Sequence, residues 1–578
     1  MRRWSELAER VASTTRTSEK TGLLADYLRT LDADELSIAV VFLTGRPFPE
    51  ADQRATGIGW ATIANALAQV AGTDRGELAA AYDRFSDISA AVGDVLARAG
   101  HDPDDAGSPT LLDVAATFAA IEAASGPARK AALLASLLAT ADPRTARGIV
   151  RVLSGELRIG LREGLVEAAL AKAFDRPLDA VKRAGMLTGD IGQTAVLARA
   201  GRLDGAELAL FHPLKFMLAS PAEDAAEILA RLGPTVWVED KYDGIRCQLH
   251  REGTTVRLYS RDLHDISSGY PEVIRAATNL PWAGILDGEL LAWRDGTVLP
   301  FVALQTRLGR KDPSPELLAE VPVIYVAWDV LGLDEAAGNG LERDGVVAPL
   351  LEAPLEERRR RLEGLRLPLA EDGGGFALSH LTTADSIDAL EEAFTEARAR
   401  RNEGLMVKDP TSIYSPGRRG YGWLKMKKAL ATIDCVVVGV EVGHGKRHGV
   451  LSDYTFAVRD EARDQLVTIG KAYSGLTDAE IAEMTRWFEE HTIARYGRYR
   501  QVEPLIVVEV AFDVIVRSNR HQSGFSLRFP RIAALRPDKK PDEIDTLESV
   551  EALYNGLQSG AEFLVTAGSK RPVAESSA

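Results

Sequence analysis

A lysine beside a tight turn is the sequence feature with the clearest chemical potential. Lys241 ends an apolar run that predicts a strand, and Asp243-Gly244 predicts a turn into the next strand. A lysine at a strand end can lie at the rim of a cleft, where its amine can attack a phosphate. Arg246 follows closely enough to bind the same anion. The competing interpretation is an exposed lysine on a surface turn, and this pattern alone does not decide between them.

Further short segments place acids and bases at the ends of predicted strands. Ile285–Glu289 has two carboxylates around a glycine, and Glu403–Lys408 has an acid and a lysine at the ends of an apolar run. Trp423–Lys428 alternates, so Lys425 and Lys427 are expected on one face. Each segment alone is also compatible with an edge strand carrying solvated charges. Together they supply cations for phosphates and carboxylates for Mg²⁺, which phosphoryl or nucleotidyl transfer requires.

Strands in the middle of the chain must position these residues. TVWVED, GIRCQLH, TVRLYS, GILDGELLAW and VIYVAWDVL are rich in β-branched and aromatic residues and predict strands. Ile245–His250 and Thr254–Ser260 predict a hairpin. Alternation along the first of these strands predicts one face formed by Arg246, Gln248 and His250. Helices are expected over Pro354–Leu362 and Ser386–Arg400, and loops over 334–345 and 372–375.

The two flanking regions differ from the middle in their patterning. Residues 1–210 show helical apolar spacing, as in Lys130–Thr140 and Glu163–Phe174, and HPLKFMLASP predicts a linker before a helix over Ala222–Leu232. From 429 onward, strands and one helix (Asp478–His491) predict a compact barrel. We therefore expect a helical domain over 1–210, an α+β domain over 211–428, a barrel over 429–564 and a disordered tail over 565–578.

Composition limits the possible classes of protein. The chain has 578 residues with a net charge of −15, and its two cysteines exclude a disulfide framework or a four-cysteine zinc site. We expect a cytoplasmic protein without a membrane segment. Two basic stretches depart from the acidic total: Arg144–Gly164 carries five arginines and two glutamates, and Ile515–Lys540 carries seven Lys/Arg and one Asp. Such local charge permits an anionic partner.

The order KYDGIR, YSRD, LDGELLAW, VAWDVL, EGLMVK and WLKMKK resembles the motifs of covalent nucleotidyltransferases. Ser526–Arg531, followed by Arg536, Asp538 and Lys539, is similar to the last motif of the ATP-dependent DNA ligases. LTGRPFPE, TGIGWATI and LRIGLREGLVEAAL are similar to that family's helical DNA-binding domain, and the whole resemblance covers about residues 20–555. It implies a multidomain α+β fold: an all-α DNA-binding domain, an α+β adenylation domain and an OB-fold β-barrel.

The resemblance also implies roles for individual residues. Lys241 would attack the α-phosphate of ATP to form a lysyl-AMP, which would pass AMP to the 5′-phosphate of a DNA nick before the 3′-hydroxyl seals the strand. The implied nucleotide-binding residues are Glu239, Arg246, Arg261, Glu289, Trp328 (where the family often has Phe), Arg419, Lys425 and Lys427. Mg²⁺ or Mn²⁺ would bind Glu289 and Glu403. The residues expected to orient pyrophosphate are Arg528, Arg531 and Lys539.

Candidate DNA contacts come from the basic stretch of the helical region: Arg144, Arg147, Arg151, Arg158 and Arg162. A solvated helix pair is the alternative interpretation. The expected partner is nicked double-stranded DNA, bound by a monomer at the nucleoid, with any sliding-clamp partner unidentified. Two other functions remain open from the sequence: a GTP-dependent RNA-capping nucleotidyltransferase, and a non-catalytic DNA-binding scaffold. An NAD-dependent ligase is disfavoured, because its zinc module needs four cysteines.

Overall fold

This computed structural model describes residues 1–103, 107–294, 296–334, 345–370, 375–400, 402–417, 419–426, 431–443, 447, 449–512 and 514–559. Lys427, most of the loops predicted over 334–345 and 372–375, and the predicted tail lie outside these ranges. The chain divides into two compact units, one formed by Met1–Phe394 with Leu405–Lys425 and the other by Thr395–Gly404 with Met426–Ala578. The domain boundaries predicted from sequence stay predictions.

The N-terminal region is helical, as predicted. The described part of this region contains α1 Arg2–Ala12, α2 Thr17–Leu28, α3 Ala33–Leu43, α4 Trp60–Ala71, α5 Gly76–Phe85, α6 Ile88–Arg98, α7 Leu111–Ala123, α8 Pro127–Ala139, α9 Pro143–Ser154, α10 Glu163–Phe174, α11 Leu178–Thr188 and α12 Ile191–Ala200.

Helix α9 shows how the sequence sets these boundaries. Asp142 accepts hydrogen bonds from Arg144 N (3.0 Å) and Thr145 N (3.1 Å), and Pro143 occupies the first turn, where its missing N–H has no cost. Gly155 ends the helix with a φ of +72°, a conformation that glycine adopts without strain. The helix buries Ile149, Val150 and Val152, so packing of this apolar face adds to the local end signals.

The middle of the chain is rich in strands. Its described elements are β1 Leu208–Ala209, β2 Leu218–Ala222, α13 Ala225–Leu232, β3 Val236–Lys241, β4 Ile245–Glu252, β5 Thr255–Ser260, α14 Pro271–Thr278, β6 Ala283–Arg294, β7 Thr297–Val298, α15 Phe301–Gln305, α16 Pro315–Glu320, β8 Val323–Asp334, β9 Val346–Pro349, α17 Leu355–Gly364, β10 Phe376–Leu378, β11 Leu381–Ala384, α18 Ile387–Ala399, β12 Gly404–Lys408 and β13 Arg419–Met426.

Two sheets organise this region. In the described residues one sheet has the strand order β1-β9-β8-β6-β4-β5, with β10 beside β8 and β7 beside β6, and the other has the order β11-β3-β12-β13-β2. The central pairs β4–β6 and β6–β8 are antiparallel. Cys247 and Leu249 point into a buried cluster with Leu258, Leu286 and Tyr325, so the alternation predicted along β4 is confirmed, with these two residues on the face opposite Arg246, Gln248 and His250.

The opposite, polar face of β4 binds the segment 211–217, which we call the strap. Phe211 N donates to His250 Nδ1 at 3.0 Å, and Gln248 bonds Leu214 through both its amide oxygen (3.0 Å) and its amide nitrogen (2.7 Å). Arg246 Nη1 donates to the Met217 carbonyl at 2.8 Å. Alternate residues of β4 therefore hydrogen-bond the predicted linker at Phe211, Leu214 and Met217.

The helix predicted from Ala222 begins later than expected. Ala222 belongs to β2, and Asp224 is the N-cap of α13, accepting a hydrogen bond from Glu227 N at 2.8 Å. Asp224 supplies a strong start signal, and pairing of β2 in a sheet overrides the helical pattern before it.

The helical region also contacts the middle region directly. Gln53 Nε2 donates to Leu263 O at 2.8 Å, and Asp265 N donates to Gln53 Oε1 at 2.8 Å. Arg183 forms an ion pair with Glu352 at 2.5 Å. One glutamine side chain therefore satisfies both backbone groups of a turn more than 200 residues away in sequence.

The C-terminal unit consists mainly of strands. Its further described elements are β14 Ala431–Val442, β15 Leu451–Asp460, β16 Gln465–Ala472, α19 Asp478–Glu490, β17 Thr492–Tyr496, β18 Tyr499–Val502, β19 Val507–Phe512, β20 Val514–Arg517, β21 Phe525–Arg528, β22 Arg531–Leu535 and α20 Leu547–Ser559.

The long strand β14 organises this unit. It pairs antiparallel with β15, with β18 and, through its first half, with β19, which in turn pairs with β22. Ile532 N on β22 donates to Ser474 O, just after β16, at 3.0 Å. This bond brings the two ends of the sheet together, as a barrel requires. The overall class is confirmed: a helical N-terminal region, a sheet-rich middle and C-terminal strands. Among the described helices, none is long and apolar enough to span a bilayer.

Candidate active site

Lys241 ends β3, and the turn that follows it is attached to β6. Gly244 N donates to Glu289 Oε1 at 2.9 Å. Strand β4 then runs antiparallel to β6, with Arg246 directly opposite Glu289. Two segments that are 45 residues apart in sequence, KYDG and LDGE, therefore meet at one place. This is the arrangement expected of a shared site.

The approach of this turn to β6 requires a glycine at position 244. A Cβ atom at Gly244 would lie 2.4 Å from the Leu290 carbonyl oxygen and 2.8 Å from Glu289 Cγ. Its backbone is outside the positive-φ region, so the requirement comes from space rather than from conformation. The Asp-Gly pair predicted as a turn is thus also a close contact between strands.

Glu239 belongs to a buried cluster of charged groups. It precedes Lys241 by two residues on β3, so both side chains lie on one side of the strand. Lys408 Nζ lies 2.5 Å from Glu239 Oε2, and Arg359 Nη1 lies 3.7 Å from Oε1. Lys408 is 1% exposed. One cation at each carboxylate oxygen fixes the orientation of Glu239. Removing either cation would leave a buried charge with less compensation, which is costly.

Arg359 is a member of this cluster that the sequence did not reveal. It lies in the run Arg358–Arg361 of α17, and such a run is typical of a solvated helix face. The structure instead buries it, with hydrogen bonds to Ser379 Oγ (2.6 Å) and Ser379 O (3.0 Å). Only the packing of α17 against the sheet separates buried from exposed arginines in this run.

Two tryptophans lie beside these cations. Lys408 Nζ lies 4.3 Å from the ring centre of Trp423 and 5.8 Å from that of Trp328, while the Arg246 guanidinium lies 5.5 Å from the Trp328 ring. Both indole nitrogens are buried, and neither has a hydrogen-bond partner among the described residues. Two buried donors without acceptors fit a ligand that supplies oxygen or nitrogen acceptors, as an adenine nucleotide does.

Arg246 is held by buried partners. Its Nε and Nη2 bond the two Asp287 carboxylate oxygens at 3.2 and 2.7 Å, while Nη1 bonds Met217. Tyr414 Oη donates to Asp287 Oδ2 at 2.8 Å and accepts from Met217 N at 3.1 Å. Burial, reinforced by the Asp287 charge, raises the Tyr414 pKa well above its usual value, so the hydroxyl keeps the proton that it donates. Arg246 thus ties β4 and β6 to the strap.

The other described residues predicted to bind the nucleotide lie in the turn after β5 and on β13. Arg261 is exposed in the turn after β5, and Arg419 is exposed at the start of β13. Lys425 lies on β13 two residues after Trp423, so the two share a face of that strand. Lys427 lies outside the described residues.

The metal prediction rests on few protein ligands. Glu289 uses Oε1 for the Gly244 amide. Glu403 is half-buried and precedes β12. Within the described ranges, no group of three or more His, Cys, Asp or Glu side chains is placed to hold a metal. Mg²⁺ is commonly bound by one or two carboxylates together with substrate phosphates and water, so a single carboxylate such as Glu289 is chemically compatible with it.

The basic residues of the C-terminal unit lie along its last strands. Arg528 ends β21 and Arg531 begins β22, separated by an exposed Phe529 with a φ of +51°. Lys539 follows β22 and bonds Asp434 Oδ2 at 2.5 Å. The predicted pyrophosphate-orienting residues thus belong to one basic segment of this unit.

The five candidate DNA-contacting arginines occupy different environments. Arg144 and Arg147 pair with Glu9 at 3.0 and 3.8 Å, and Arg151 is buried. Arg158 is exposed with a φ of +51°, pairs with Glu156 at 2.6 Å and donates to Ser86 O at 2.5 Å. Arg162 is exposed and precedes α10 as its N-cap. In this geometry Arg151 is inaccessible to a phosphate. Arg144, Arg147 and Arg158 are paired with glutamates, so the exposed Arg162 carries the prediction best.

Comparison with protein-family models matched three regions of the chain. Residues 1–171 match the DNA ligase N terminus, residues 216–427 the ATP dependent DNA ligase domain, and residues 447–539 the ATP dependent DNA ligase C terminal region. The three matches follow the order of the helical region, the sheet-rich middle and the C-terminal strands.

Curated relatives have related names. A "Probable DNA ligase" of Koribacter versatilis is 44% identical over 95% of this chain and 96% of its own length. A "Probable DNA ligase" of Opitutus terrae is 44% identical over 99% of this chain, which spans 64% of that longer protein. Among solved structures, one titled "Pmar-Lig_PreS3" aligns with a TM-score of 0.59 and 16% identity over 92% of this chain and 99% of that one. This last likeness concerns the fold alone.

Proposed function

Because this chain belongs to the ATP-dependent DNA ligase family, we propose that it seals nicks in double-stranded DNA at the nucleoid through a lysyl-AMP intermediate on Lys241. The observation that carries this proposal is the bond between Gly244 N and Glu289 Oε1. It joins the turn after the nucleophile to a strand bearing a carboxylate. The family assignment disfavours the RNA-capping alternative.

The proposed chemistry begins at the Lys241 amine. Its Nζ attacks the α-phosphorus of ATP, the bond from that phosphorus to the pyrophosphate oxygen breaks, and the nitrogen loses a proton. A 5′-phosphate oxygen at the nick then displaces the lysine from the AMP phosphorus. Attack by the 3′-hydroxyl on the 5′-phosphorus finally forms the phosphodiester and releases AMP. Mg²⁺ or Mn²⁺ near Glu289 and Glu403 would neutralise phosphate charge.

The chain's own residues would orient the nucleotide. Glu239, fixed by Lys408 and Arg359, would accept a hydrogen bond from the exocyclic amine of adenine, and the Trp328 ring would stack on the base. Arg261, Arg419, Lys425 and Lys427 would bind the ribose and phosphate. Arg246 bonds Asp287 and Met217 through three of its five N–H groups, and its two remaining N–H groups would bind the ribose and phosphate.

The proposal is tested by intact-mass spectrometry after incubation with ATP and Mg²⁺. Wild-type protein and the control Lys311→Ala, an exposed lysine in a loop, should gain one AMP, and Lys241→Ala should gain none. Nicked DNA should discharge the adduct and yield sealed product. The starting mass and a pyrophosphate chase identify protein that is purified already adenylylated.

Other outcomes would overturn the proposal. An adduct with GTP but not ATP would indicate a capping-type enzyme. Wild-type protein that starts without AMP and gains no adduct with any nucleotide would indicate a scaffold.

A further inference from the structure

One buried carboxylate in the C-terminal unit contacts two cations of the basic segment. Asp434 lies on β14, and its side chain is 7% exposed. Its Oδ2 lies 2.5 Å from Lys539 Nζ, and its Oδ1 lies 3.1 Å from Arg536 Nη1. The two cations are only three residues apart in the turn after β22, so a single carboxylate contacts both of them, while Arg536 Nη1 also lies 3.9 Å from Glu509 Oε2.

The carboxylate is itself rigidly placed. Asp434 N donates to Asp545 Oδ2 at 2.7 Å, and Asp545 N donates back to Asp434 O at 2.9 Å. Strand β14 is paired with β19 here, with Asp434 opposite Glu509. The backbone of Asp434 is therefore held by Asp545 and by β19, and these bonds do not involve the two cations.

The turn carrying the cations is also ordered. Arg536 N donates to Val507 O at 2.9 Å, Lys539 N donates to Arg536 O at 3.1 Å, and Arg536 makes two further bonds to Asp538 at 2.8 and 2.7 Å. The described side-chain bonds of Arg536, to Asp538 and Asp434, use three of the five N–H groups of its guanidinium. The bond of Lys539 to Asp434 uses one of the three N–H groups of its ammonium. Both cations can therefore bind an anion without leaving Asp434.

We propose that Asp434 is a positioning residue for nucleotidyl transfer, presenting Arg536 and Lys539 as a preorganised pair to the pyrophosphate portion of ATP. The proposal rests on the proposed function and adds to it a residue outside the basic segment. Preorganised cations stabilise charge that develops on a leaving group more effectively than flexible ones, because they need no reorganisation during the reaction. Asp434 would then matter for the step that releases pyrophosphate, and not for sealing a nick that already carries AMP.

The test compares two reactions of Asp434→Asn. In single-turnover adenylylation with ATP and Mg²⁺, the rate should fall by about 10-fold or more, as expected when a charge-stabilising group is misplaced. Sealing of a chemically pre-adenylylated nick by AMP-free enzyme should stay within about 2-fold of wild type, since this substrate bypasses the first step. Pyrophosphate-driven release of AMP from adenylylated protein, the reverse of that step, should fall in parallel with adenylylation.

Matched variants separate positioning from general damage. Asp460→Asn removes another buried aspartate of the same unit, at the end of β15, and should change neither reaction selectively. Because Asp434 acts through both cations, the loss caused by Asp434→Asn should be smaller in a Lys539→Ala background than in wild type, so the losses in the double variant Asp434→Asn/Lys539→Ala should be less than additive.

Four outcomes are decisive. Equal loss of both reactions in Asp434→Asn, an unchanged adenylylation rate, or additive losses in the double variant would each overturn the inference. Wild-type protein that starts without AMP and forms no AMP adduct would instead refute the proposed function. Circular dichroism of each variant checks folding, and should Asp434→Asn not fold, Asp434→Glu takes its place in the same comparison.

Discussion

At the candidate site, close packing between the turn after Lys241 and β6 leaves no room for one additional carbon atom. Gly244 is the clearest case, because the Leu290 carbonyl oxygen and the Glu289 side chain occupy the space that a Cβ atom would need. The turn that follows Lys241 can approach β6 only with glycine at this position. The Gly244 amide is also the group that bonds Glu289, so one residue governs both the spacing and the hydrogen bond.

We therefore predict that Gly244→Ala slows adenylylation of Lys241 by about 10²-fold, the cost typical of a misplacement near 1 Å. The control is Gly364→Ala at the end of α17, where an added Cβ meets nothing within 4 Å. Single-turnover formation of the AMP adduct measures both variants. A Gly244→Ala rate within about 2-fold of wild type would show that the turn can relax without moving the nucleophile.

Among the elements, α17 has an organising role that its sequence conceals. Arg358 and Asp329 form an ion pair at 2.8 Å in which both side chains are fully buried, and Arg358 Nη1 also donates to Ser412 O at 3.1 Å. Leu355 N and Glu356 N donate to the Ser412 and Pro410 carbonyls, both at 2.9 Å. The helix thus connects β8, which carries Trp328, to the loop that carries Tyr414.

Arg358→Met is predicted to lower the free energy of unfolding by about 3–5 kcal/mol, because Asp329 would remain buried without its partner. Arg361→Met, on the same helix, removes an ion pair of a 43% exposed arginine with Glu357, and should cost at most about 1 kcal/mol. Urea unfolding followed by fluorescence compares the two. Similar losses for both variants would contradict the distinction between buried and exposed arginines of this run.

Across the molecule, contacts between the helical region and the sheets hold the turn that carries Arg261. Gln53 bonds both Leu263 O and Asp265 N. Lys215 of the strap pairs with Glu50 at 2.7 Å and also with Glu163. Arg261 is exposed in this turn, so the Gln53 bonds hold the backbone that carries it.

Gln53→Ala should accordingly increase hydrogen exchange at the Asp265 amide by about fivefold, corresponding to the roughly 1 kcal/mol net value of a hydrogen bond. Exchange measured by mass spectrometry on peptides covering 258–270 reports this change. The comparison variant is Gln193→Ala, an exposed glutamine of α12, which should leave these peptides unchanged. Unaltered exchange in Gln53→Ala would mean that the turn is held by its own sequence alone.

The sequence by itself determined the order of helices and strands, the alternation along β4 and the motif set around Lys241. These are local properties, since apolar periodicity and turn residues report the conformation of their own segment. Which charges are buried depended on the tertiary structure. Arg359 joining Glu239, Arg246 binding Asp287, and Asp434 holding Lys539 each join residues more than 40 positions apart. The local sequence around a charged side chain looks the same whether the charge is solvated by water or paired with a buried partner. Only packing decides between these two environments.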